Sequence, residues 1–388
     1  MKNTPEIRFE GFHDEWEEKA ISEIATVVGG GTPSTSKPEY WNGNINWYTP
    51  KEIQDNIFAS KSERKITELG LNNSSAKMLP VNTLLFTSRA TIGEMAILRT
   101  PGSTNQGFQS LILNDTCEPY FIYSLKEDIK TRAINKASGS TFLEISKNNV
   151  EKLNVNVPNK NEQKKLAKLF FEMDKLLCLK DKEIEKLKFY KKSMLENMFP
   201  RKGEKVPKIR FEGFDKNWVK TSISKSCDFY DNLRIPVKES NRMKGDIPYY
   251  GANGILDWVK GYTHKGEFVL IAEDGASNLN KYPIHYLKGH AWINNHAHVV
   301  SGKPNFLDNK FLYNSLKLVD YNDFLSGTSR YKLNSSQLKR INILMPSLEE
   351  QKLIGNFFYN LDKHIELKKD ELEKLKEFKV ALLDKMFV

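Results

Sequence analysis

The chain has three cysteines, Cys117, Cys178 and Cys227. Their count is odd and no two are spaced CxxC, which argues against both a disulfide framework and a cysteine zinc site. No apolar run approaches the ~20 residues that a membrane span needs, and Met1-Lys-Asn-Thr-Pro5 does not open a signal peptide. A soluble protein of a reducing cytoplasm is therefore the expectation, with no membrane partner. Acid is outnumbered by base, with 49 Asp and Glu against 59 Lys and Arg, a formal charge of +10 and a pI of about 9.1. That balance favours a polyanionic partner, nucleic acid before an acidic membrane surface, although excess lysine also suits a solvated helical face.

What is present above all is repetition. Pro5-Glu-Ile-Arg-Phe-Glu-Gly-Phe12 with Trp16 returns 202 residues later as Pro207-Lys-Ile-Arg-Phe-Glu-Gly-Phe214 with Trp218. Ser138 through Phe199 aligns without a gap to Ser326 through Phe387, at an offset of 188. Between the matched ends, roughly Ala25 to Ala137 and Cys227 to Leu325, the copies show little resemblance. A repeated frame that holds two different contents points to a composite target, one part per copy. The repeat cuts the 388 residues near Pro200 to Pro207 into halves, each large enough to bury its own core.

Two long helices are expected at matched positions, after Pro158 and after Pro346, where Ser347-Leu-Glu-Glu350 reads as a capping box. Steps of four and three pick out Leu166, Phe170, Met173, Leu177, Ile184 and Leu187 in the first. The second gives Ile354, Phe358, Leu361, Ile365, Leu372 and Leu375, a seam of coiled-coil type. Lysines interrupt both runs in register, Lys180 with Lys368 and Lys191 with Lys379, as register-fixing or snorkelling residues would. Separate packing of each helix on its own domain is the alternative, but both runs far outlast the ~11 to 12 residues of a mean helix. A helix of about 39 residues spans ~58 Å, whereas a domain of ~140 residues has a radius of gyration of only ~14 Å. The second variable domain enters where the first helix ends and leaves into the start of the second, so the expected pair is antiparallel. The variable domains are then expected at opposite ends of a rod, about a pseudo-twofold axis, a geometry that fixes half-site spacing in two-headed DNA binders. The boundaries expected are a first domain over 1–158, a central helix over 159–200, a second domain over 201–346 and a C-terminal helix over 347–388.

Candidate contact residues lie in the variable regions. The first carries the loop Gly29-Gly-Gly-Thr-Pro-Ser-Thr-Ser-Lys-Pro-Glu-Tyr-Trp41, which lacks the spacing of a Walker A or dinucleotide loop. Lys37 and Tyr40 in it, and Trp47 and Lys51 just after it, are candidates. Ser88 and Arg89 sit between strand-like runs Thr83–Thr87 and Glu94–Leu98, and Asn105, Gln106 and Gln109 form a further loop. Arginine reads guanine and amides read adenine in the major groove, so these side chains suit base recognition; ordinary turn and solvated residues are the plain alternative. The second region offers Tyr250 and Asn253, then Glu273 and Asp274 after a strand Glu267–Ile271, then Asn294, Asn295 and His296, and finally Arg330. Adjacent acids on extended chain face opposite sides, so Glu273 and Asp274 share a metal only with help from elsewhere. An acid also accepts from the cytosine amine, a use that needs no catalysis. His285, His290, His296 and His298 come with no HExxH motif or cysteine partner, so no metal is expected. Ser138-Gly-Ser-Thr141 and Ser326-Gly-Thr-Ser-Arg330 close the two domains at matched positions, as phosphate-touching loops or as turns.

In this order and frame the residues resemble the specificity subunit of type I restriction-modification enzymes over nearly the whole chain. The resemblance rests on Gly30-Gly-Thr-Pro-Ser34, Pro38-Glu-Tyr-Trp41, Ser88-Arg-Ala-Thr-Ile-Gly93, Asn105-Gln-Gly107, Tyr249-Tyr-Gly-Ala-Asn-Gly254, Glu273-Asp-Gly-Ala276, Asn294-Asn-His-Ala-His298 and the Glu-Gln-Lys helix starts at Glu162 and Glu350. It implies an α+β chain of two target recognition domains, each mixed α/β with a twisted, largely antiparallel sheet, joined by an antiparallel coiled coil. Each domain would read part of a split double-stranded DNA site, and the helices would set the unread gap. Two modification subunits would supply S-adenosylmethionine and methylate adenine, and motor-nuclease subunits would supply ATP and Mg chemistry, with no cofactor in this chain. No catalytic residue is expected here: there is no Asn-Pro-Pro-Tyr-like motif and no glycine-rich cofactor loop. The alternatives are a single-chain nuclease or methylase with an atypical site near Glu273 and Asp274, and a two-headed protein-binding scaffold.

Overall fold

The computed structural model describes residues 4–54, 56–139, 143–276, 278–279, 281–327 and 331–388. They fall into two compact units, Met1–Lys180 with Leu372–Val388, and Asp181–Glu371. The four segments expected from the sequence thus group as two bodies, and each long helix gives one part to each.

In the first unit β1 (Glu17–Ala20) pairs antiparallel with β10 (Asn154–Val157), joining the two matched ends of the copy. A five-stranded sheet runs in the order β2 (Ala25–Gly29), β9 (Gln109–Leu113), β6 (Leu84–Phe86), β7 (Met95–Leu98) and β4 (Phe58–Ala59). A three-stranded sheet places β3 (Trp41–Tyr48) between β5 (Arg64–Ile66) and β8 (Gly102–Thr104). The apolar runs of β6 and β7 are buried on both faces, and alternate residues enter different cores: Leu84 and Phe86 join Trp16 and Phe170, whereas Leu85 joins Tyr48 and Phe108.

In the second unit β11 (Val219–Ser222) and β18 (Asn342–Met345) repeat the antiparallel pair of matched ends. One six-stranded sheet follows the order β12 (Cys227–Phe229), β17 (Ala297–Gly302), β15 (His264–Ala272), β16 (Ile284–Ile293), β13 (Lys244–Gly251) and β14 (Gly254–Val259). The regions that look unrelated in sequence share a plan. β12, β17, β15 and β16 repeat the order and the antiparallel pairing of β2, β9, β6 and β7. A parallel neighbour follows in each, β3 on β8 and β13 on β16. The long strand β16 does the work of β7 and β8 together.

The long helices run over Lys160–Asn197 and Leu348–Met386. Their starts differ from the capping box read at Ser347. Ser347 Oγ accepts from the Glu350 amide at 3.4 Å, but the Glu350 carboxylate does not return to the cap; it takes a two-pronged bond from Arg210 at 2.7 and 2.8 Å. Asn159, Glu162 and Arg8 repeat the arrangement, with Arg8 to Glu162 at 2.7 Å on both prongs. Glu162 and Glu350 are fully buried, so each needs its arginine. The next residue, Gln163 or Gln351, is buried too. Its Oε1 accepts from the backbone of Glu118 or Asp308, and its Nε2 donates to the Pro158 or Pro346 carbonyl.

Each unit pairs its two helix portions in opposite directions. In the first unit Asp174 meets Lys379, and Phe170 meets Phe387 at 5.4 Å. In the second, Glu183 meets Lys368 at 3.4 Å and Lys191 meets Asp362. Lys191 and Lys379 are therefore one ion pair made twice, since Asp362 and Asp174 are also 188 residues apart. Of the seam positions, Leu166, Phe170, Met173, Ile184, Ile354, Phe358, Ile365 and Leu372 are buried, and Leu177, Leu187, Leu361 and Leu375 are half-buried. No helix of the described residues is long and apolar enough to cross a membrane.

Removing one partner of a buried pair leaves an uncompensated charge, so Glu350→Ala is expected to cost the second unit about 3 to 5 kcal/mol. Glu162→Ala is expected to cost the first unit as much. Urea denaturation followed by hydrogen exchange checks both, with protection lost in the unit that carries the change and kept in the other.

Candidate nucleic-acid interface

Backbone hydrogen bonds build the same ledge in both units. The Ser88 amide donates to the Gly107 carbonyl at 2.8 Å, and the Ser88 carbonyl accepts from Ile145 at 3.0 Å. In the second unit the Glu273 amide donates to His296 at 2.8 Å, and its carbonyl accepts from Leu333 at 2.7 Å. Arg89 bridges to Glu144 as Asp274 bridges to Lys332. The Asn105 amide reaches the Tyr48 carbonyl at 3.0 Å and the Asn294 amide reaches that of Tyr250 at 3.1 Å. Each asparagine then accepts, through Oδ1, from the amide two residues on, Gly107 at 2.9 Å or His296 at 2.8 Å. Ser88 thus corresponds to Glu273, Arg89 to Asp274, Asn105 to Asn294, Gly107 to His296 and Tyr48 to Tyr250.

The candidates of the first unit divide by exposure. Arg89 is about half exposed and pairs with Glu144 at 2.7 Å. Lys37 is exposed, with its ammonium 3.0 Å from the Tyr40 hydroxyl. Lys51 and Gln106 are exposed as well. Tyr40, Trp47 and Ser88 are corrected from contact residues to support. Ser88 is enclosed, and Tyr40 and Trp47 join Trp41 and Ile66 in a small core. The Trp47 indole donates to the Gly31 carbonyl at 2.8 Å, and the Arg64 guanidinium lies 3.7 Å over the Trp41 ring. Asn105 is held in its turn, and Gln109 is half-buried with Oε1 enclosed and without a partner.

In the second unit Asn294 is corrected likewise: it is buried and its Oδ1 is engaged by the His296 amide. Asn253 and Asn295 are exposed, Asn253 donating to the Gly275 carbonyl at 2.9 Å, and Tyr250 is half-buried. Asp274 meets His296 Nδ1 at 2.6 Å. Glu273 is held by Arg234 at 2.7 Å and Lys332 at 3.3 Å. Arg330, with Ser140, Thr141, Thr328 and Ser329 of the closing loops, lies outside the described residues. Sequence reasoning missed Arg64, Glu144, Arg234 and Lys332. A signal existed for two of them, because Glu144 and Lys332 occupy one repeat position with opposite charge. The charges on the ledge are accordingly reversed, with the cation on the Arg89 loop in one unit and on the facing Lys332 segment in the other, where Lys332 pairs with Glu273, one residue before the counterpart of Arg89.

Behind the second ledge His298 is fully buried. Its Nδ1 is 2.6 Å from Asp231, its Nε2 is 2.7 Å from the Leu333 carbonyl, and Glu273 approaches within 3.8 Å. Asp231, Glu273 and His298 lie close enough together to surround a metal ion. Arg234, however, already places its guanidinium 2.7 Å from Glu273 and 3.6 Å from Asp231, supplying the positive charge there. Burial by itself raises the Asp231 carboxyl, but the His298 hydrogen bond, the Val299 amide and Arg234 outweigh it and hold the group below its usual 3.8. A carboxyl depressed by folding contributes stability above its unfolded value and loses it as pH falls through the folded one. Asp231→Asn is expected to destabilise the second unit by about 1 to 3 kcal/mol at neutral pH. It should also flatten the acid limb of the stability curve below the usual carboxylate range, which chemical denaturation at stepped pH measures.

The chain belongs to the family described as the type I restriction modification DNA specificity domain, which matches residues 13–188 and 215–377, once in each copy. A type I restriction enzyme specificity subunit of Methanocaldococcus jannaschii is 36% identical over 192 residues, a match that covers 48% of this chain and 44% of that one, so the chain spans less than half the length of that relative. The EcoprrI specificity subunit of Escherichia coli is 25% identical over 370 residues, covering 91% of this chain and 88% of that subunit. The crystal structure of the S subunit of a type I restriction-modification system from M. genitalium superposes over 99% of both chains with a TM-score of 0.70 at 18% identity, which shows the fold.

Proposed function

We propose that this chain is the DNA-recognition subunit of a type I restriction-modification enzyme, in which each unit reads one half of a split DNA site. The observation that supports it best is the ledge itself, built twice by the same backbone bonds and furnished with different, charge-reversed side chains. Recognition of two unlike half-sites needs that combination of constant scaffold and changed edge groups. Arg89 is suited to guanine or phosphate in one half-site, and Asn253, Asn295 and His296 are the exposed readers of the other. The long helices act as an antiparallel coiled coil that sets the unread gap. Methyl transfer and cleavage belong to partners, two methyltransferase subunits using S-adenosylmethionine and motor-nuclease subunits using ATP and Mg. Exposed apolar residues at matched repeat positions, Leu179 with Leu367 and Tyr190 with Phe378, support two equivalent partner surfaces on the helices.

Sequencing the methylome of a host that expresses this chain with and without its methyltransferase partner tests the proposal. A split, adenine-methylated motif appearing only with both proteins is the expected result. Methylation by this chain alone would make it an enzyme, and none under either condition would favour a protein scaffold. Four residues inserted in both long helices are expected to lengthen the gap in that motif and leave its half-sites unchanged. Arg89→Ala is expected to cost about 1 to 3 kcal/mol with one half-site only if it reads a base, and to weaken all sequences with a shallower salt slope if it holds phosphate. Salt-dependent binding titrations on both half-sites separate the two.

A further inference from the structure

The second unit has a partly open cavity of about 360 Å³ between β16, the helix Asn309–Lys317 and the second long helix. That is within the size range of small-ligand sites. Tyr286 is tilted against Tyr313 at 6.2 Å and meets Tyr359 edge-to-face at 5.8 Å between ring centres, while Tyr250 and His285, 6.2 Å apart, line another side. A lining rich in aromatic rings favours flat, polarisable ligands.

Three polar atoms of the lining, Asn314 Oδ1, His285 Nε2 and the Tyr286 hydroxyl, are enclosed with no hydrogen-bond partner. Asn314 is 1% exposed, and its amide nitrogen already donates to the Lys310 carbonyl at 2.8 Å. The open atom is therefore an acceptor, and leaving a buried acceptor unpaired costs about 1 to 3 kcal/mol. Burial, with the nearby Lys317, pushes His285 below its ordinary value, leaving a neutral ring whose Nε2 can serve a ligand. Lys310, 4.4 Å over the Tyr359 ring and bonded to Asn356 at 2.7 Å, and Lys363 are balanced in the lining by Asp362 and Glu366, so the site as a whole is near neutral.

The repeat supplies a control. The first unit has a cavity at the matched place, with Phe171 where the second has Tyr359, lined also by Phe58, Arg99 and Tyr120. None of its lining polar atoms is among those enclosed without a partner. The unpaired acceptor is thus particular to the second unit and is no requirement of the shared frame.

We propose that this cavity binds a nucleobase with an exocyclic amino group, its ring against the tyrosines and its amine donating to Asn314 Oδ1. The base comes either from a free mononucleotide or from a nucleotide turned out of bound DNA; the recognition chemistry is the same. The site does not depend on the ledge residues or on which half-site they read.

Calorimetric titration of the full chain with AMP, CMP and UMP tests the free source. AMP or CMP is expected to bind at least about tenfold more tightly than UMP, which lacks the amine, the difference of one hydrogen bond. Asn314→Leu should remove that preference, and Tyr359→Ala, on the helix surface and safe for folding, should weaken every nucleotide by about tenfold. For the DNA source, a duplex carrying 2-aminopurine is expected to brighten on binding to the full chain and to stay dim with Tyr359→Ala. Equal affinity for AMP and UMP overturns amine recognition. No nucleotide binding at about 5 mM, a level that excludes even millimolar affinity, together with a dim duplex, overturns the site.

Discussion

Each unit depends on a buried carboxylate and a buried amide side by side in the first turn of a long helix. Glu162 and Gln163, repeated as Glu350 and Gln351, tie together pieces of chain that lie far apart in sequence. The carboxylate fixes the segment of Arg8 or Arg210, and the amide fixes the last strand through Pro158 or Pro346 and the start of the domain helix through Glu118 or Asp308. A buried carboxylate is tolerated only with its cation, and a buried amide only with its hydrogen bonds, so these two side chains accept one arrangement of three segments. Apolar packing then completes what they position: Trp16 packs on Phe121 and Phe387 in the first unit, and Trp218 on Phe311 and Phe199 in the second. Phe199 lies just beyond one long helix and Phe387 just beyond the other, so each core is closed by residues that follow the far end of a helix.

This explains what was legible in the sequence and what was hidden. Glu-Gln-Lys and the Arg-Phe-Glu-Gly-Phe segments are visible as repeats because their side chains do the tying, and a changed side chain would break the tie. The shared order of β2, β9, β6 and β7 with β12, β17, β15 and β16 was invisible. A buried strand asks only for apolar residues of about the right size, and Leu84-Leu-Phe86 and Val269-Leu-Ile271 satisfy it equally. The aromatic residues of the Gly29–Trp41 loop and of the strand after it misled in the opposite direction. Tyr40 and Trp47 are candidates by type, but their rings join a small core beneath the loop, and the cation over Trp41 and Trp47, Arg64, comes from a different strand.

The ledges show how recognition can change without disturbing the fold. Their defining bonds run between backbone groups, so Ser88 can be replaced by Glu273, and Gly107 by His296, with the same amides and carbonyls in contact. Asparagine persists at Asn105 and Asn294 because there the side chain itself closes the turn. Constancy and variation therefore follow from which atoms make the bond.

The two ledges also differ in how readily their charges can be withdrawn. Arg89 and Glu144 are each about half exposed, and an exposed pair of that kind is worth about 0 to 1 kcal/mol. Arg89 can therefore be drawn from Glu144 at little cost. Glu273 is only 16% exposed and is held by Arg234 and Lys332, with His298 and Asp231 behind it. Moving it would leave buried positive charge unbalanced, a far larger penalty than the loss of a surface pair. Under the proposed function the second ledge would offer DNA its fixed outer groups, His296 and Asn295, where the first would offer a side chain free to swing. One frame thus carries two kinds of charged edge, one with an ion pair that exchanges cheaply and the other with an ion pair held still.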